Sequence, residues 1–172
     1  MRSPRPAKPG AAAHPLGPVL YRVAARNNTK SRLIAGLVFL GSTFVLCLAA
    51  RLHPSPVGLG THEQLGLPPC SIIMMFGYPC PTCGMTTAFA YTVRGELVSA
   101  FAAHPGGLAL ALGTIVASAV SLGVLITGKV WAVNWHRVSP ASVTVAAILI
   151  LAGGWAFKLA WGLMSGALPV AW

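Results

Sequence analysis

Three long runs of apolar residues constrain this chain more than any other feature. Residues 33–50 are eighteen positions without a charge, bracketed by Arg32 and Arg51. Residues 106–127 are also uncharged, and residues 141–163 are interrupted only by Lys158. As helices rising 1.5 Å per residue these runs reach about 27–35 Å, close to the roughly 30 Å of a bilayer's hydrocarbon core. Composition agrees. Only 8% of the 172 residues are charged, where a soluble domain carries about 25%. Two acidic residues, Glu63 and Glu96, cannot furnish the mixed-sign surface of a soluble fold. The expected class is an all-α membrane protein with three transmembrane helices, 33–50, 106–127 and 141–163. A basic region of 32 residues is long for a cleaved leader, and no A-x-A site follows the first run, so that run reads as a retained helix.

The remaining segments take their roles from this frame. Residues 1–32 hold seven of the twelve basic residues and five prolines, and read as a disordered basic tail with a short helix near 19–25. Residues 51–105 form a cysteine-bearing loop followed by a broken amphipathic helix. Arg94-Gly95-Glu96 lies in the middle of its apolar part. Placing such charges at the bilayer centre costs about 2.5–3.5 kcal/mol each, so two short helices in an interfacial or re-entrant hairpin fit better than a span. Residues 128–140 are a loop and 164–172 a tail. Lys and Arg concentrate before the first span and recur in 128–140. The positive-inside rule then puts the N-terminus and that loop in the cytoplasm, with the cysteine loop exoplasmic. The basic tail becomes a topology signal and a contact for anionic lipid, and with Tyr21 as its one aromatic residue it argues against nucleic acid. All five Trp follow residue 130, as interface anchors do.

Three features inside the runs carry expectations. Gly113, Ala117 and Ser121 form a small-residue ridge that lets another helix approach. Lys158, about 24 Å along its span, reaches the outer interface by snorkelling, or pairs internally with Glu96 or a substrate carboxylate. Cys47, within the first run, reads as a small apolar residue.

The conspicuous chemistry is the stretch from Cys70 to Ala88, with Cys80-Pro81-Thr82-Cys83-Gly84 at the start of a helix-compatible run. Three readings compete. Cys80 and Cys83 form a thiol–disulfide pair, with Cys70 a possible third partner, since a thiolate at a helix N-terminus is stabilised by the backbone N–H groups. Alternatively they bind a metal, completed by Cys70, His62, His53 or His104; a structural zinc site needs four ligands. In the third reading, the segment is a tight turn that starts a helix, and the cysteines are small packed residues or a static disulfide. Gly77 and Gly84 bracket the turn and permit it. His104-Pro105 reads as a break before the second span. On a helix after Gly84, Met85, Phe89 and Val93 make an apolar stripe, opposite Thr87, Tyr91 and Arg94.

Gly77, Cys80, Pro81, Cys83, Gly84, Thr86, Arg94-Gly95 and His104-Pro105, with Cys70 ten residues upstream of Cys80, resemble the small bacterial membrane proteins grouped as domain of unknown function 2752. The likeness covers about residues 68–125. In that family's pattern an Arg stands where this chain has Thr87, and an Asn where it has His104. Arg94, sharing a helix face with Thr87, is a candidate replacement for the missing cation. The resemblance implies membrane location and supplies neither substrate nor reaction. With two carboxylates in the whole chain, two-carboxylate hydrolysis lacks raw material. The residues therefore favour a structural or partner-binding turn, the partner being a membrane protein or a second copy of the chain. A redox pair or a metal site is the alternative, and no cofactor is specified.

Overall fold

The structure, a computed structural model, describes residues 20–24, 28–133, 139–164 and 166. Most of the basic tail, residues 134–138 and most of the C-terminal tail lie outside them, and so do Trp135 and Trp172. The element order is β1 (Leu20–Ala24), α1 (Asn28–Arg51), a 3-10 turn (Thr61–Leu65), α2 (Ser71–Phe76), α3 (Met85–Thr92), α4 (Leu97–Ala103), α5 (Pro105–Thr127), β2 (Lys129–Val133) and α6 (Pro140–Met164). Three stretches, Thr29–Arg51, Pro105–Thr127 and Pro140–Met164, are helices long and apolar enough to cross a membrane. Their mean hydropathies are 2.4, 2.3 and 1.9. Large apolar side chains remain exposed along all three, among them Leu37, Phe44, Val116, Ile126, Ile148 and Leu149. In water such faces would be untenable; against lipid they need no cover. The chain is an integral membrane protein with an all-helical body.

α5 is the central helix. It packs along α1, against the α3–α4 hairpin and against α6. Thr43 and Ser118 share a hydroxyl hydrogen bond of 3.3 Å between α1 and α5. The small-residue ridge contributes unevenly: Ser121 is buried, whereas a side chain at Gly113 would meet nothing within 4 Å. The close approach lies elsewhere, where the start of α5 crosses the middle of α6. A Cβ on Gly154 would sit 2.9 Å from the Gly106 nitrogen, and one on Gly106 would sit 3.2 Å from the Ile150 oxygen. Only glycine at both positions lets the backbones meet.

The helical hairpin breaks where the charges demand. α3 ends at Thr92, Gly95 takes φ 79°, and α4 starts after Glu96. Eight and seven residues make helices of about 12 and 10 Å, too short to span. The polar face of α3 is not turned to water. Thr87 and Thr92 are buried with Ala88 and Ala90, while Met85, Phe89 and Val93 are half-buried. Thr87 meets Thr61 at 2.8 Å, and Thr92 donates to the Ala88 carbonyl at 2.6 Å. Satisfied hydroxyls can be packed inward, so the hairpin is a packed cap rather than a surface-lying amphipathic helix.

Two departures from the sequence reading concern extended chain. The short helix expected near 19–25 is a strand, β1, and the loop expected at 128–140 begins with β2. The two pair antiparallel, Leu20 opposite Val133 and Ala24 opposite Lys129. The first span also starts earlier than residue 33, at Asn28. This ribbon ties the segment before α1 to the segment after α5, at the end of the bundle opposite the cysteines.

Candidate functional site

The end of α1, the start of α5 and the C-terminal half of α6 converge at the cysteine end, and each contributes to holding one turn. α2 stops at Gly77, whose φ of 72° closes the helix with an N–H to the Ile73 carbonyl. Cys80–Gly84 then forms a tight turn, with Cys83 N–H donating to the Cys80 carbonyl at 3.0 Å and Met85 N–H to the Thr82 carbonyl at 3.2 Å. Gly84 has φ 92°, and a Cβ there would run into Lys158 Nζ and lie 2.7 Å from the Ala103 oxygen. Glycine is required at this position both by conformation and by space.

Three side chains from the spans and their caps grip the backbone of this turn. Trp155 Nε1–H donates to the Pro79 carbonyl at 2.9 Å. His104 Nε2 lies 3.0 Å from the Pro81 carbonyl, and Gly107 N–H donates to His104 Nδ1 at 3.0 Å. Because Nδ1 accepts, the proton sits on Nε2 and the ring is neutral. Burial holds His104 below the ordinary imidazole range; the bond to Pro81 opposes this, and the Lys158 ammonium reinforces it. His104 caps α5 through Gly107 N–H as an Asn side chain would, which explains how His replaces the family's Asn. With both nitrogens engaged it is unavailable to a metal.

Lys158 is neither a snorkelling residue nor a partner of a carboxylate. Its ammonium donates to the Ala103 carbonyl at 2.8 Å, to Gly58 at 2.9 Å and to Cys83 at 3.4 Å. Three protons meet three carbonyls from three segments, so one lysine inside a span ties the loop after α1, the cysteine turn and the end of α4 together. Arg94, by contrast, is not a cation of the cysteine site. Its guanidinium donates to Ala90, Ala50 and Leu52 carbonyls and closes the C-terminal end of α1. The expectation that it stands in for the family's Arg is corrected by that geometry; the cation beneath the turn is Lys158. Thr87 occupies the family's Arg position as a buried hydroxyl.

The sulfurs are left free of this scaffold. The Sγ atoms of Cys70, Cys80 and Cys83 lie within 4.8 Å of one another, with Cys80 and Cys83 3.2 Å apart, all as free thiols. They border a cavity of about 330 Å³ that His62, Thr82, Thr86 and Thr87 also line. His62 Nε2 sits 3.3 Å from the Pro68 carbonyl, and His53 lies outside this cluster, its backbone held by Gln64. Cys47 is exposed on α1.

The two cysteines of the motif occupy opposite environments. Burial by itself would raise the Cys80 thiol, but the Thr82 hydroxyl, Cys83, the Thr82 backbone N–H and Cys70 all bond its sulfur and bring it down to about 7. Cys83 is buried, and that burial above all, with Cys80 and Cys70 beside it, pushes its thiol far up. One sulfur is an available thiolate near neutral pH and its neighbour a protonated reserve. Sequence alone singled out the cysteines but missed Thr82, Trp155 and the role of Lys158; a lone charge in an otherwise uncharged run was the available signal for the last.

The fold and site define a class, a three-span helical membrane protein with a three-thiol centre at one end of its bundle. Residues 70–118, less than a third of the chain, are similar to the family model described as protein of unknown function (DUF2752). That segment contains all three cysteines and His104, while Trp155 and Lys158 lie outside it. No curated protein and no solved structure matches the chain.

Proposed function

We propose that this protein is a membrane thiol–disulfide redox protein whose centre, Cys80 and Cys83, works on the exoplasmic side. The observation that carries the reading is the contrast between a turn backbone held by side chains of distant elements and thiols that bond only within the cysteine cluster and to Thr82. Pro79, Pro81 and Cys83 carbonyls are held by Trp155, His104 and Lys158, so the turn has no need of a sulfur bond to keep its shape. Two thiols 3.2 Å apart with opposed acidities suit exchange. In the oxidising direction, a partner thiolate attacks Cys80 Sγ of the disulfide and Cys83 leaves, taking a proton. The partner's second thiolate then attacks the mixed disulfide and releases Cys80. The partner gains a disulfide, and the pair gains two electrons. The exoplasmic placement rests on the distribution of Lys and Arg, and disulfide chemistry suits that compartment.

Alkylation trapping tests the reading. Membranes treated with diamide or with dithiothreitol, then with a maleimide of added mass, should show Cys80 and Cys83 switching together between blocked and reactive. A pair that stays in one state under both treatments refutes it. A C80S/C83S variant should still accumulate in the membrane; its loss would favour the structural alternative.

The convergence of Cys70 supports a second reading. Three sulfurs within 4.8 Å also fit a soft, thiolate-preferring cation. Purified protein carrying near-stoichiometric metal by elemental analysis, lost in C70S, would favour it over exchange.

A further inference from the structure

Cys80 borders two cavities, one of mixed lining and one almost wholly apolar. The first is the thiol cavity. The other is a groove of about 530 Å³ between α2, the turn and α6, lined by Phe76, Tyr78, Cys80, Trp155, Leu159 and Leu163 among others, with no charged residue in its wall. Three of these residues, Trp155, Leu159 and Leu163, lie in the span Pro140–Met164, so the groove opens at membrane depth. The wall is fixed in place, because the Trp155 indole is tied to the Pro79 carbonyl. On the opposite flank, Phe76 and Tyr78 are 64% and 41% exposed among the described residues, an aromatic edge left open.

We infer that this groove binds a lipid-soluble quinone, which takes electrons from the Cys80–Cys83 thiols. The inference rests on the redox reading above and supplies what that reading leaves open, a two-electron acceptor for the reduced pair. An occupant must be apolar to enter from the bilayer, flat to lie between aromatic walls, and able to accept two electrons and two protons beside a sulfur. A quinone head group with its first isoprenoid units meets all three conditions, and the volume is within the range of small-molecule sites. The step balances: the two thiols lose two protons and two electrons as the S–S bond forms, and the two quinone carbonyls become hydroxyls. The thiol cavity then serves the partner dithiol while the groove serves the acceptor, with Cys80 common to both.

The test uses reduced full-length protein in detergent, without oxygen, mixed with decylubiquinone. Hydroquinone formation should match Cys80–Cys83 disulfide mapped by mass spectrometry, one for one. L159W and L163W, which fill the groove, should each slow this reaction at least tenfold. Closure of the pair by diamide in each variant reports that both thiols are still reactive, and a wild-type melting temperature in detergent reports that the variant is still folded. If diamide closes the wild-type pair but decylubiquinone does not, or if the Trp variants react with the quinone as fast as wild type, the quinone inference is overturned and the redox reading stands. If neither oxidant closes the pair, the redox reading itself falls.

Discussion

At the scale of single residues the site is a set of unequal neighbours. Cys80 and Cys83 are three positions apart and of one residue type, yet burial and hydrogen bonding separate them. Since Cys80 is drawn down to about 7, its alkylation rate should rise about tenfold per pH unit below that point and level off above it. Iodoacetamide kinetics followed by peptide mapping checks this, and Cys83 should stay unreactive across the same range. T82V removes the hydroxyl that lies 3.2 Å from the sulfur, so its apparent pKa should move upward. Lys158 acts through its three carbonyl partners. K158M strands the Gly58, Ala103 and Cys83 carbonyls in a half-buried place, and each unsatisfied acceptor costs about 1–3 kcal/mol. Thermal unfolding in detergent should show a loss of several degrees. An Arg at this position brings a wider head group against Gly84, so K158R should rescue poorly.

At the scale of elements, the helices around the site begin and end by side-chain devices rather than by composition. α5 starts at His104 because its imidazole accepts the Gly107 N–H and Pro105 presets the first turn. The same imidazole holds the Pro81 carbonyl, so one residue both caps a span and positions the cysteine turn. H104N should keep the cap and lose the second bond, lowering stability by about 1 kcal/mol. H104A loses both and leaves a hole in a buried place, so it should unfold at a clearly lower temperature than H104N. Comparing the two melting curves checks the order. If the two variants melt together, the capping role is wrong. Arg94 shows the same economy at another terminus, closing α1 from a neighbouring hairpin.

At the scale of the whole molecule, the bundle has two unlike ends. One carries the thiol centre under the helical cap. The other carries the β1–β2 ribbon, which pairs the segment before α1 with the segment after α5. Residues 22 and 131 face one another in its register. Cysteines introduced as R22C and W131C should therefore cross-link with a short bifunctional maleimide. R22C with a cysteine at residue 60, at the cysteine end, should not. Gel mobility after proteolysis reads the outcome.

The spans, the break at Arg94-Gly95 and the tight turn at Cys80–Gly84 were legible in the sequence because each rests on local chemistry. A bilayer demands some twenty apolar residues in a row with their backbone bonds satisfied internally, and that demand is written in consecutive positions. What Lys158 touches, which face of α3 turns inward, and that residues 20–24 pair with 129–133 could not be read in the same manner. Those facts depend on where distant segments meet. Lys158 meets Gly58 a hundred positions away and Thr87 meets Thr61 across 26, contacts that only the assembled fold makes. Consecutive residues alone specify a membrane bundle with three spans and one cysteine turn. Tertiary structure decided that the backbone of the turn is held by Trp155, His104 and Lys158 while its sulfurs stay free, because burial and hydrogen bonding are properties of assembled neighbours.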